Sequence, residues 1–190
     1  MNNIFNTPTN KPDSYRTLNV FAKSECVYDI TFYFVSRFLD RSHDRTVDQM
    51  QQAARSGKQN IVEGYSDAEG STESEHKLTV IAKGSLEELK EDYRDYLRCH
   101  NLEIWGPQHP KYKMAQPLCR RHNDSAWYRK QIEGRCAEEI ANIALIVIHQ
   151  TLAMLRGLID WQNHKFLEHG GIKEQRYRAR VECRKKDKGW

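Results

Sequence analysis

Asn60 and Glu63 sit three residues apart in the stretch QNIVEG, and Lys83, Gly84 and Ser85 interrupt the apolar pattern of a later segment, KGSLEEL. A carboxylate beside an amide would suit acid–base work. Cys119-Arg-Arg-His122 has the spacing of a zinc-ligand pair, with Cys99, His100, His109 and Cys136 near enough in sequence to complete a tetrahedron. Glu73 and His76 show the Glu-x-x-His spacing of di-iron bundles, and Glu87, Glu88, Glu91, Asp92 and Asp95 form an acidic run. Each pattern has a plainer reading. A di-iron centre needs a second Glu-x-x-His, which the chain lacks, and no CxxC or HxxxH pair accompanies Cys119 and His122. The acidic run alternates with Lys83, Lys90, Arg94 and Arg98, as helix-stabilising ion pairs do. Neither a glycine-rich phosphate loop nor a GxSxG elbow occurs. The expectation is a protein without cofactor and without enzymatic activity.

The elements that must position these residues read as helices. Leu18 to Leu39 carries apolar residues at three- and four-residue spacings, and its Ile30–Val35 run finds no second strand-like segment to pair with. Thr46 with Gln49 and Thr72 with Glu75 have capping-box spacing, which predicts helix starts at those threonines. The helices so begun run to Tyr65 and to about His100, with Asp67 to Ser71 as the turn between them. Ser56, Asn60, Glu63 and Asp67 share one helix face, opposite the small Gly84 and Ser85. A close helix–helix contact with Asn60 and Glu63 bonding across it accounts for these residues without a substrate, and it predicts that Gly84→Leu disrupts folding or assembly.

A fourth helix is expected from about Ile132 to His169, stopped by Gly170 and Gly171. It is apolar over most of its circumference, more than one bundle position needs, which points to cover from a second subunit. The fold class is therefore all-α, and three regions follow: a flexible arm at 1–14, a bundle at 15–169, and a basic suffix at 170–190. Residues 101–132 form an aromatic and basic insertion between the third and fourth helices, partly loop.

The composition, 38% hydrophobic and 29% charged with a mean hydropathy of −0.83, fits one water-exposed domain. No window is read as reaching the roughly 18 apolar residues of a membrane span, and the start lacks a secretory signal, so the expected location is cytoplasmic. The five cysteines are odd in number and scattered, which favours reduced thiols. The net charge of +4 is uneven: Gly171 to Trp190 carries +5, leaving the rest near −1. Such a tail can meet phosphate or be a solvated helix face.

The segment QMQQAARSGKQNIVEG (49–64), followed by IAKGSLEEL (81–89), resembles a family signature of the approximate form Q-L-R-R-A-A-x-S-I-P-x-N-I-A-E-G and I-A-x-G-S-x-x-E-L. That family contains the intervening-sequence proteins of large-subunit ribosomal RNA genes and the accessory variability determinant of diversity-generating retroelements. The resemblance covers about 15–100 and 133–169. It implies an up-and-down four-helix bundle closed into a ring, a pentamer first among the options, with no established enzymatic activity. In that reading Gln49, Ser56, Asn60, Glu63, Gly64, Gly84, Ser85 and Glu88 are structural-motif residues. The family's Arg-Arg pair is Gln51-Gln52 here and its Ile-Pro is Gly57-Lys58, which removes two phosphate-binding side chains. The insertion and suffix resemble the longer members.

Together these observations point to a ring-forming adaptor whose partner is RNA, DNA or a nucleic-acid enzyme such as a reverse transcriptase. The expected contacts are Arg120, Arg121, Arg129 and Lys130 in the insertion and Arg176, Arg178, Arg180, Arg184, Lys185 and Lys186 in the suffix. Trp105, Tyr112, Trp127 and Tyr128 either stack on bases or form the insertion's own core. The alternatives are a purely structural self-assembling protein and a zinc protein using Cys119 and His122.

Overall fold

The structure is a computed structural model that describes residues 15–40 and 44–187. The expected N-terminal arm at 1–14 and the last three residues of the suffix lie outside the described residues. Among the described residues the chain is all-helical, without a strand. After a 3₁₀ turn at Tyr15–Thr17 come α1 (Asn19–Phe38), α2 (Thr46–Asp67), α3 (Thr72–Cys99), α4 (Pro110–Arg121), α5 (Ser125–Ile132), α6 (Ala137–His169) and α7 (Ile172–Asp187).

The strand-like run Ile30–Val35 is helical, burying Ile30, Thr31, Phe34 and Val35 on one face while Phe32 is exposed. Thr31 answers its own polarity by donating to Val27 O at 2.8 Å. Neither capping box forms at its expected residues. At α2 the N-cap position is Arg45, without a side-chain cap, and Asp44 Oδ1 takes the Thr46 amide at 2.8 Å, while Gln49 is exposed. At α3 the cap is Ser71, one residue earlier, whose extended backbone lets Oγ accept from the Ser74 amide at 3.1 Å.

α1 packs on α2 and α6, and α3 packs on the same two helices. Paired contacts set the directions. Ser56 meets Ser85 while Gly64 lies against Glu75 and Leu78, and Gln162 meets Thr79 while Arg156 reaches Glu87, so both α2 and α6 run antiparallel to α3. The centre is filled by Phe34, Met50, Leu86, Leu89, Tyr93, Ile140 and Ile148, all fully buried. Tyr93 is wholly enclosed, and its hydroxyl donates to Thr31 Oγ1 at 3.1 Å.

Residues 101–132, expected to be partly loop, are non-helical at 101–109 and 122–124 and otherwise form α4 and α5. α4 lies along α6, held by Lys111 Nζ to Glu139 Oε1 at 3.2 Å and Gln150 Nε2 to Gln116 O at 3.1 Å. α5 lies on α1. The approach is pinned by buried Asn142, which accepts from the Trp105 amide at 2.8 Å and donates to Glu103 O and Glu138 O. The chain then reverses at Gly134, φ +76°, so the last long helix begins at Ala137 rather than Ile132.

This placement corrects the argument drawn from the apolar circumference of the last long helix. Residues 140–148 are buried without exception, enclosed by α1, α3 and α4 of the same chain. Their cover therefore needs no second subunit. Farther along the cover ends: Trp161, Phe166 and Leu167 are exposed, and α6 stops at Gly170 with φ +70°. The expectation that no window approaches a membrane span is corrected as well. α6 carries one with a mean hydropathy of 1.5, of which 56% is buried inside the protein, as befits a helix touched from several sides.

Candidate nucleic-acid interface

The contact between α2 and α3 contains part of the expected motif and rearranges the rest. Ser56 Oγ and Ser85 Oγ lie 2.9 Å apart across the two helices. Asn60 Nδ2 stays on its own helix, donating to Ser56 O at 2.8 Å and Ser56 Oγ at 3.1 Å, and Ser85 donates back to Ile81 O. Glu63, Glu88 and Gln49 are exposed, so the predicted bond from Glu63 across the contact is not part of it. The close approach belongs to other glycines. A Cβ on Gly57 would lie 2.6 Å from Leu86 Cδ2, and one on Gly64 would lie 3.3 Å from both Glu75 O and Leu78 Cβ. Gly84 is exposed, and a Cβ there would meet nothing within 4 Å. Gly84 thus does not lock these two helices, contrary to the sequence expectation. Three of the five carboxylates of the acidic run of α3 are paired, with Arg94 on Glu91 at 3.1 Å, Arg98 on Asp95 at 2.8 Å and Arg156 reaching Glu87 from α6 at 3.1 Å.

The insertion's basic residues divide. Arg129 is engaged by Asp29 of α1, with Nε to Oδ2 at 3.1 Å and a second, shorter bond from its terminal nitrogen. Ser125 bonds the same carboxylate. Arg129 therefore anchors α5. Arg120, Arg121 and Lys130 are exposed, and Arg120 borders a cleft between α4 and α6 with Tyr112 and His149. Of the aromatics, Trp105 and Tyr128 are buried in the main core, and Trp127 stacks on His122 with ring centroids 4.0 Å apart. They seal the insertion onto the helices beneath it and offer no open stacking platform.

The sequence pattern gave no signal for Lys23, an ordinary lysine within α1 that is fully buried. Its Nζ donates to Cys119 O and, at 2.6 Å, to His122 O, the carbonyls left open where α4 ends. Tyr128 Oη, with a single hydrogen to donate, lies 3.0 Å from Cys119 O and 3.2 Å from His122 O. The end of a helix dipole favours a cation there, while burial pulls the Lys23 ammonium below its ordinary pKa. Burial also raises the Cys26 thiol to about 12 and the Cys119 thiol above its usual range, with Lys23 acting weakly the other way. Among the described residues no group of three or more His, Cys, Asp or Glu side chains could hold a metal. Cys119 and His122 thus serve through their backbone carbonyls, as acceptors for Lys23.

α7 carries the basic residues that the sequence reading expected to make contacts from the suffix. No helix packs along it, and its described side chains are exposed apart from half-buried Ile172 and Val181. Lys173, Arg176, Arg180 and Arg184 follow one another at three, four and four residues, which puts them on one face over roughly 16 Å. Tyr177 lies beside that line, with the Arg180 guanidinium 5.9 Å from its ring centroid. Arg178, Lys185 and Lys186 occupy other faces. The root of the helix is tied to the turn between α2 and α3 by Arg176 donating to Glu69 O at 3.3 Å. The insertion's basic residues belong to α4 and α5, which pack on α6 and α1 respectively, rather than on α7.

Compared with known protein families, curated proteins and solved structures, this chain matches none.

Proposed function

We propose that this chain is a non-enzymatic, self-assembling adaptor of the intervening-sequence type, a four-helix bundle of α1, α2, α3 and α6 that presents a basic helix to nucleic acid or to an enzyme acting on it. The cyclic packing of those four helices supports the bundle arrangement. The observation that carries the function is α7 itself. A sixteen-residue helix that is polar nearly all round gains little from the core, and four cations in line along it are what phosphate binding uses.

Assembly into a ring rests on a different feature. Gly84 lies in the middle of α3 on its exposed face, where glycine costs about 1 kcal/mol relative to alanine and nothing in its own chain crowds it. Val80 and Ile81 beside it are 45% and 41% exposed. A neighbouring subunit lying close against this face accounts for both, and a cytoplasmic location agrees with α6 being covered by protein.

Fluorescence anisotropy with a labelled single-stranded RNA tests the binding. Affinity should fall with salt at a slope of about −3 in log–log terms, near −0.7 for each of four phosphates. Truncation after Gly170 should remove it. Binding that is absent at low salt, or untouched by the truncation, overturns the reading in favour of a purely structural protein.

A further inference from the structure

Beyond its anchored root no helix packs along α7, and at 177–186 every side chain apart from half-buried Val181 is exposed. Its cations are not confined to the line of Lys173, Arg176, Arg180 and Arg184. At 3.6 residues per turn, Arg178 and Lys185 fall together roughly 150° round the axis from that line. A single strand laid along the line would leave this second pair in water. Two rows of cations on opposite flanks match a partner with phosphates on both sides of the helix. The side between the rows is small: Ala179 lies roughly 105° from each row, and Cys183 is one turn farther along the same side. Glu182 and Lys186 flank Ala179 there. A carboxylate contributes nothing to a surface that meets only phosphate, but it can accept from the cytosine amino group, as a lysine can donate to guanine. The remaining side holds Tyr177, Val181 and Glu174, whose carboxylate turns back to the Gly171 amide at 3.1 Å.

Dimensions decide which nucleic acid offers such walls. A helix with its side chains is about 10–12 Å across, and the major groove of B-form DNA is about 12 Å wide, whereas that of A-form RNA is deep and too narrow for side chains to read. We infer that α7 enters the major groove of duplex DNA, with its two cation rows on the phosphates of opposite walls and the Ala179 side toward the base edges. The absence of any helix packed along α7 leaves both flanks open to that partner. The inference deepens the proposed function and rests on it, since it names the nucleic acid that the basic helix takes.

The test compares three probes on the full chain by fluorescence anisotropy: a short DNA duplex of mixed sequence, the RNA duplex of the same sequence, and one DNA strand alone. The two duplexes carry the same number of phosphates, so charge alone does not separate them. The DNA duplex should bind at least ~10-fold more tightly than the RNA duplex. Ala179→Phe, at an exposed position, should keep the helical circular dichroism and hold the helix off the groove floor. It should weaken the DNA duplex ~10-fold and leave the single strand unchanged. Arg178→Gln with Lys185→Gln should reduce the log–log salt slope on the DNA duplex by about 1.8, near 0.9 for each phosphate, without altering the single-strand slope. Equal affinity for the two duplexes, or an Ala179→Phe chain that holds the DNA duplex as tightly as the parent, overturns groove entry while single-strand binding through α7 stands. The DNA–RNA comparison uses the unaltered protein, so it decides even where a variant misfolds. A parent that binds none of the three probes at low salt refutes the proposed function and this inference with it.

Discussion

Gly57 and Gly84 show that two glycines in neighbouring motif segments can do opposite things. At Gly57 an added methyl would press on the fully buried Leu86, so Gly57→Ala should destabilise the fold by about 1–3 kcal/mol, measured by urea denaturation. At Gly84 the space is open, and Gly84→Ala should hold or gain up to ~1 kcal/mol in the same assay. The cysteines differ in a comparable way. Cys26 and Cys119 are buried while Cys99, Cys136 and Cys183 are exposed, so a thiol reagent at pH 8 should modify the latter group in the native state. Cys26 also shapes the alkaline limb of stability. Its folded pKa stands near 12 against an ordinary 9.0, so the folded state holds this proton more tightly. Its contribution is intact below the lower value and is lost as pH rises through the higher. Lys23, whose pKa is lowered by burial, acts in the opposite sense up to its ordinary value of 10.5. Unfolding of Cys26→Ala should accordingly show a flatter fall in stability between pH 9 and pH 12 than the parent.

Among the elements, α4 and α5 are the ones whose bounds the sequence reading left open within a segment expected to be partly loop. Their length is short and Pro117 lies inside α4, features that signal loop, yet packing on α6 and α1 holds both as helices. The clamp that fastens them is Lys23 with Tyr128. Lys23→Met should leave the open carbonyls at the end of α4 short of a donor and cost about 1–3 kcal/mol. Amide exchange in that variant should accelerate first in α4 and α5, and unchanged exchange there would deny the clamp its role. Helix starts illustrate a similar gap. Ser71 rather than Thr72 caps α3 because the cap is defined by where the extended backbone ends, and several hydroxyl residues in a row fit the spacing nearly as well.

For the molecule as a whole, assembly and strand binding should separate. Gly84→Leu should keep its helical circular dichroism yet fall to the 22.4 kDa mass of one chain in light scattering, while truncation after Gly170 should retain the assembled mass and lose RNA. A monomeric parent would overturn the ring. The sequence argued for a second subunit from the apolar girth of the last long helix, and for a ring from the family resemblance. The proposed assembly rests instead on the exposed face of α3, because α1, α3 and α4 of the same chain already cover residues 140–148 of α6.

Helical periodicity, the turn at Asp67 to Ser71, the glycine stop at Gly170 and the basic character of the suffix were all legible in the residue order, since each depends on neighbours within a few positions. Which side chains face one another was not. Lys23 reaches carbonyls about a hundred residues away, Gln162 is oriented by Thr79 from another helix, and Gly57 rather than Gly84 meets the opposing leucine. These pairings depend on the rotation of each helix about its axis and on where the insertion docks. Those are set by the packing of the whole core, and no local pattern encodes them.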